Sequence, residues 1–407
     1  MALRNTATHY GSVAKWFHWT VALLILSMIP LGSIANDMAS QIKAGNTDAA
    51  FVARTAMLFS LHKTVGVLVF LLALARILWA LTNTKPLSLN GDNLLEHSLA
   101  SAVHWLLYGS LVLVPLSGWI HHAATSGFAP IWLPIGQSLP LVPQSESVAA
   151  FFGGLHIVLV RVMVLSILLH FAGAAKHLII DRDKTLARML PGIPDIQAIP
   201  EQIKTRLPGI FAVATWAVAL VLGGVFGMYG KHDQATAATA TLEAVASEWS
   251  VETGSIGISV VQFGSTVEGG FADWTSQISF DPAPGAGTKG RVETTINIAS
   301  LSLGSVAGQA MGPDFFATDQ FPTATYSGDI TLDENGTYSS SGTLSMKGTE
   351  LPLSFPFELN LVDNTAEMSA QFDLMRLDYG IGQSMADESS LGFPVTVTLN
   401  LTASRAP

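Results

Sequence analysis

Four histidines stand inside the longest apolar stretches of the chain. His18 lies in a stretch over about 13–34, His62 in one over about 56–81, and His156 and His170 share one over about 148–180. Fourteen residues separate His156 from His170. On an α-helix that spacing turns about 1400°, roughly 40° short of four full turns, and rises about 21 Å. The two rings therefore share one helix face at two depths, His156 level with His62 and His170 level with His18. Imidazole in hydrocarbon normally marks function. Neutral imidazole is a good axial ligand for haem iron, and bundle cores build such sites from facing helices. The pairs His62/His156 and His18/His170 would each hold one haem b, two haems in all. Two imidazoles per iron leave no open position, which suits electron transfer better than oxygen activation. The bland alternatives are interhelical hydrogen bonds or a metal such as zinc. They account for one such histidine more readily than for four at matched depths.

Other residues belong to the same chemistry. His104, in a stretch over about 99–123, is the rival axial ligand, read here as a neighbour of a haem propionate or a quinone. Arg76 and Arg161 lie within apolar stretches, where a charge needs a partner. Haem propionates match the guanidinium fork, and snorkelling to the interface is the alternative for Arg76. His121 and His122 are read as solvated interface residues.

To hold imidazoles at two depths, the chain needs helices long enough to cross a bilayer, roughly 20 residues each. Five stretches qualify: the four above and a fifth over about 209–229. The first is read as a retained helix rather than a cleaved leader, since it carries His18 and two tryptophans. Basic residues gather before the first stretch, between the second and third, and between the fourth and fifth. That pattern puts the N-terminus in the cytoplasm and everything after the fifth crossing on the outer side, which is the periplasm if the cell has one. Residues 1–234 hold 15 basic and 10 acidic side chains, and 235–407 hold 5 and 20. The acidic half would repel nucleic acid. With no cysteine in the chain, thiolate ligands, iron–sulfur clusters and covalent haem attachment are excluded.

After a linker at 231–247, rich in Ala and Thr, the pattern changes to period two. Val292-Glu-Thr-Thr-Ile-Asn-Ile298 and Val395-Thr-Val-Thr-Leu-Asn-Leu401 alternate apolar with polar, and Asp281-Pro-Ala-Pro-Gly285 and Asn335-Gly336 mark turns. Short alternating strands of this kind predict an antiparallel barrel or sandwich. The expected architecture is a multidomain membrane protein: an all-α transmembrane four-helix haem bundle (1–190), a fifth transmembrane helix and connector (191–230), the linker, then an all-β antiparallel barrel (248–407).

Ala14-Lys-Trp-Phe-His18-Trp, Leu61-His62-Lys63-Thr-Val-Gly66, Arg76-Ile-Leu-Trp79, His104-Trp-Leu-Leu-Tyr108, Pro115-Leu-Ser-Gly118-Trp and His156 through His170 to Leu190 resemble the bacterial dihaem cytochromes b561. The resemblance implies the same four axial ligands, electron passage through the bilayer and exchange with ubiquinone. One branch of that family oxidises superoxide, which a positive outer mouth would steer inward; here the outer loops hold few basic residues, and Lys63, directly after His62, is the best single candidate to meet such an anionic small redox substrate. Gly269-Gly-Phe271-Ala-Asp-Trp274, Asp314-Phe-Phe316, Phe321-Pro-Thr-Ala-Thr-Tyr326, Gly342-Thr-Leu-Ser-Met-Lys347-Gly348 and Arg376-Leu-Asp378-Tyr-Gly-Ile-Gly382 resemble the YceI-like family. That likeness implies a lipocalin-like barrel holding an isoprenoid chain, such as a quinone tail. Phe263, Phe271, Phe316, Phe321, Phe355, Phe357 and Phe372 are the candidates to line or close it, with ordinary core as the alternative for each. The expected partners are membrane lipid, ubiquinone or another polyisoprenoid, and a small redox substrate; a homo-oligomer is left open. The competing reading is an isoprenoid-binding or transport protein in which the cytochrome is a redox-linked membrane anchor.

Overall fold

The computed structural model describes residues 2–43, 48–125, 129–196, 199–229, 241–243 and 245–405. The linker expected at 231–247 falls at 231–240 and 244 outside the described residues. Among the described residues, five helices are long and apolar enough to cross a membrane. They are α1 (Ser12–Lys43), α2 (Ala49–Thr82), α3 (Leu94–Ala123), α4 (Glu146–Lys176) and α5 (Leu207–Val225). α1 and α2 run past the apolar stretches that predict them. Nothing at Asn36–Lys43 or Ala49–Thr55 breaks a helix, so backbone hydrogen bonding continues where the side chains turn polar. The starts of α3 and α4 are capped by Asn93 and Ser145, whose side chains accept from the Glu96 and Val148 amides. One π-helical turn (His177–Asp181) ends α4 and stops at Arg182, whose φ of 51° is left-handed. α5 packs on α3 and α4, with Trp216 seated on Gly109. A β-carbon at Gly109 would stand 3.3 Å from the Trp216 ring.

The chain divides into two compact units, one built on the helices and one on the strands; the ends of α1 and α2 beyond Ile34 and before Ser60 group with the latter. The second holds one antiparallel sheet of β1 (Trp249–Gln262), β2 (Ser265–Phe271), β3 (Trp274–Phe280), β4 (Gly287–Asn297), β5 (Leu301–Ser302), β6 (Thr323–Leu332), β7 (Tyr338–Met346), β8 (Thr349–Val362), β9 (Thr365–Met375) and β10 (Leu391–Arg405). Their order is β3-β4-β6-β7-β8-β9-β10-β1-β2-β5. β6 shows why the sheet curls around a core: Ala324, Tyr326, Gly328 and Ile330 are buried, and Thr325 and Asp329 between them are exposed. β1 and β3 are drawn together by side chains rather than by a ladder. Trp249 Nε1 donates to Phe280 O at 3.0 Å, and Ser247 Oγ accepts from the Ile278 amide at 2.7 Å. The Trp274 ring lies so close to Gly254 that a β-carbon there would meet it at 2.8 Å. The result is a curled, lipocalin-like antiparallel barrel.

Arg376 ties the loops at one end of the barrel. Its Nε donates to Gly392 O at 2.9 Å, and its Nη1 to Ile381 O and Gly382 O at 2.9 and 2.8 Å. Nη2 donates to Met385 O and Leu391 O. Arg376 is buried, at 3% exposure, and its hydrogen bonds go to carbonyl oxygens, with the Asp314 carboxylate in electrostatic range.

Candidate functional site

His18 on α1 and His170 on α4 face one another with ring centres 6.2 Å apart. His18 lies six residues from the start of α1 and His170 six from the end of α4. Both are thus about 9 Å from the same end of the bundle. His104 on α3 meets the His170 ring edge-on at 5.2 Å, and its Nδ1 donates to Ala100 O at 2.7 Å. Arg76 is a charged neighbour common to His18, His104 and His170. Its guanidinium lies over the Tyr108 ring, 5.3 Å from the centre.

At the second level, His62 on α2 lies within electrostatic range of His156 on α4. His156 Nδ1 lies 2.9 Å from Val114 O, with Ser117 Oγ at 3.3 Å. A carbonyl oxygen only accepts, so Nδ1 carries the proton and Nε2 keeps its lone pair, the tautomer that binds a metal. The His62 ring rests against Gly32 of α1, where a β-carbon would stand 2.7 Å from its Cε1, and the His156 ring rests against Gly118, where the distance would be 3.1 Å. His62 Nδ1 is buried without a hydrogen bond. The structure thus brings His18 to His170, and His62 towards His156, as two levels on α1, α2 and α4.

Three expectations change. Arg161 does not enter the bundle: it points outward, and its Nη1 contacts Met228 Sδ at 3.3 Å, beyond the end of α5. Its partner lies in the residues that follow the fifth helix, which the apolar run around Arg161 does not reveal. Lys63 does not present its charge at a mouth; it is 6% exposed and its Nζ donates to Gln137 Oε1 at 3.3 Å. His121 is not simply solvated, because its Nδ1 donates to Ala149 O at 2.6 Å and its ring lies on Gly153. Gly32 and Gly153 escape the sequence reading because a glycine in a membrane helix reads as close helix packing.

The barrel encloses two apolar cavities of about 190 and 120 Å³ that share Ile256, Thr294, Tyr326, Phe355 and Leu399. Phe271, Phe316 and Phe372 line the larger, Phe357 the smaller and Phe355 both. Phe263 and Phe321 line neither. Phe263 occupies the left-handed turn between β1 and β2, with φ 47°, and Phe321 packs on the turn at Gly348. Trp249, Trp274 and Phe315 are lining residues that the sequence reading missed, because aromatics at strand starts and in loops do not reveal which way they face. Polar groups on the walls are mostly paired: Tyr326 with Ser340 at 2.7 Å and Ser276 with Thr294 at 2.6 Å. Burial pushes the Tyr326 phenol above its usual range. The Gln262 carboxamide, 4% exposed at the end of the larger cavity, keeps Oε1 without a partner.

The family model of prokaryotic cytochrome b561 matches residues 9–192, and that of the YceI-like domain matches 240–403. Cytochrome b561 homolog 2 of Escherichia coli (strain K12) is 28% identical over 194 residues, which is 47% of this chain and 95% of that protein. Among solved structures, BcnA of Burkholderia cenocepacia is 26% identical, covering 37% of this chain and 96% of its own with a TM-score of 0.35. A YceI protein of Campylobacter jejuni is 21% identical, with 34% and 85% covered and a TM-score of 0.31. The cytochrome b561 match over the first half, with its five membrane-competent helices, implies transmembrane electron transfer and b-type haem. The chain thus joins a region similar to prokaryotic cytochrome b561, over residues 9–192, to a region similar to the YceI-like domain, over 240–403.

Proposed function

We propose that this protein carries electrons across the bacterial inner membrane between a small redox donor and ubiquinone. In this reading it uses two b-type haems, one held by His18 and His170 and one by His62 and His156, and its barrel holds the isoprenoid tail of a quinone. The observation that carries the reading is the 6.2 Å between the ring centres of His18 and His170. Two imidazoles that each reach one metal ion by a nitrogen at about 2 Å have ring centres roughly 6 Å apart. The donor set fits as well: His156 is fixed as the metal-binding tautomer, and Gly32 and Gly118 leave room for the rings of His62 and His156. Bound between two imidazoles, haem b supplies a one-electron couple without an open coordination position.

The chain's own residues do the rest. α4 spaces the two levels about 21 Å apart along its axis, so haems held there would serve as two relays for charge crossing the membrane. Arg76 sets a positive charge beside the His18/His170 level, which favours the reduced, more negative state there. His104 stands at the edge of that level with its Nδ1–H engaged and its Nε2 able to accept a hydrogen bond from a quinol. In the barrel, the apolar walls bury a prenyl chain, and Gln262 offers an acceptor to a hydroxyl head. The basic N-terminal face belongs to the cytoplasm, so the acidic C-terminal half lies on the donor side. A neutral or cationic donor suits that charge better than superoxide.

The test is quinone reduction in proteoliposomes with a donor supplied outside, comparing the full chain with one lacking residues 231–407. Electron transfer to ubiquinone by both, with a higher KM in the shortened chain, supports the reading. Equal KM values would detach the barrel from quinone chemistry. Absence of transfer in both would favour an isoprenoid-binding protein on a redox-linked anchor.

A further inference from the structure

Arg188 lies beyond α4, in the 3-10 turn Ala187–Met189, and is 4% exposed. Its Nη1 donates to Leu87 O at 2.9 Å, and its guanidinium lies over the Tyr10 ring, 5.5 Å from the centre. Nε and Nη2 are buried and have no hydrogen-bond partner. These two nitrogens form one edge of the guanidinium, the fork that takes a carboxylate through two parallel hydrogen bonds. A buried fork left idle costs the desolvation of both donors, so its arrangement calls for an acceptor. Within the protein, Asp183 is the carboxylate in electrostatic range. It is already engaged by His177 Nδ1 at 2.6 Å and by the Thr185 amide at 2.7 Å.

The surroundings tie this fork to the His18 level. Lys15 Nζ donates to Leu190 O and Gly192 O at 2.6 and 2.9 Å, and Trp19 Nε1 donates to Met189 O at 2.9 Å. The segment carrying Arg188 is thus fastened to the turns of α1 on either side of His18. Tyr10, beneath Arg188, also lies within electrostatic range of Arg76 and Tyr108. Two arginine–tyrosine stacks therefore stand near one another at the end of the bundle where His18, His104 and His170 meet. The cluster is cationic and well supplied with donors, and lies outside the imidazole pair itself. A haem b carries two carboxylates on one edge of its ring, away from the iron.

We propose that the Nε/Nη2 edge of Arg188 receives a propionate carboxylate of the haem held by His18 and His170, which makes Arg188 a positioning residue for that haem. This rests on the haem assignment above, and the test separates the two. Full-length wild type, Arg188→Gln and Arg188→Lys are purified in detergent. Haem per chain, the resonance Raman propionate-bending bands and a redox titration resolved into two components are then measured. With Arg188→Gln, one propionate band shifts and one haem's reduced-to-oxidised ratio at fixed potential falls several-fold, because a cation that stabilised the reduced form is gone. The other haem is unchanged. Arg188→Lys restores the ratio in part but not the band, since an ammonium lacks the fork. If Arg188→Gln does not accumulate, the band of Arg188→Lys decides alone. Unchanged bands and titration in a chain that holds two haems would overturn the proposal, and a raised KM for quinone in that chain would assign the fork to a quinone head. A wild type without haem would instead overturn the assignment on which the proposal rests.

Discussion

His156 gives its Nδ1 proton to Val114 O and keeps Nε2 free, and Gly118 leaves room for its ring. His62 depends in the same way on Gly32, where a β-carbon would stand 2.7 Å from Cε1. Such a contact forces the ring to move, because the neighbours in a packed bundle yield only slightly. Gly32→Ala is therefore expected to perturb the haem at the His62 level and leave the other intact. In a low-temperature absorption spectrum, one of two α-band components should shift or vanish. An unchanged pair of bands would show that His62 is not an axial ligand. The grouping of histidines at two levels was legible in the sequence, because helical periodicity puts His156 and His170, fourteen residues apart, on a shared face. The direction of Arg161 was not, since a charge in an apolar run reads as interior, whereas the side chain lies on an exposed face of α4. Arg188 reads from the sequence only as one of the basic residues between the fourth and fifth apolar stretches, and nothing there reveals a fork left without acceptors.

At the scale of elements, the spans were legible as apolar length, but the helix ends were not. Hydrophobicity reports where lipid begins, whereas hydrogen bonding carries α1 on to Lys43. Likewise, alternation exposed the strands but not the seam between β1 and β3, which rests on Trp249, Ser247 and Trp274. Trp249 is 2% exposed, so Trp249→Ala should cost about 3–5 kcal/mol of barrel stability. Arg376→Ala should cost a similar amount, about 3–5 kcal/mol, because it leaves five buried carbonyl bonds unmade. Both are read from the urea midpoint at which the barrel of the full chain loses protease resistance; a shift below about 1 kcal/mol would contradict the packing described. One turn carries an acid dependence. The Thr337 amide, then the Asn335 side chain and the amides of Asn335 and Gly336, hold the Asp333 carboxyl below its usual 3.8. A depressed folded value gives stability that is present above the unfolded value and lost as pH falls through the folded one. The urea midpoint should therefore drop below about pH 4, and Asp333→Asn should flatten that drop. An identical acid profile in the variant would place the dependence elsewhere.

For the whole molecule, two chemistries share one chain, and each half can be disabled separately. Leu399 lines both barrel cavities, so Leu399→Trp should fill the space where they meet at an overpacking cost of about 1–3 kcal/mol. Co-purifying polyisoprenoid, measured by mass spectrometry, should fall while haem per chain stays the same; undiminished isoprenoid would show that the lipid lies outside the barrel. The halfway change in composition made the two-domain plan legible from the sequence, and the charge of each half followed from counting. Which groups close the cavity did not, because Phe263 and Phe321 are set by turn geometry rather than strand alternation. In the proposed function, imidazoles from α1, α2 and α4 clamp iron at two depths. The most direct test is haem per chain in the purified wild type and in His170→Ala. The expected values are two and one, with the remaining haem low-spin and reducible. A colourless wild type after haem supplementation, or two haems retained in His170→Ala, would contradict it.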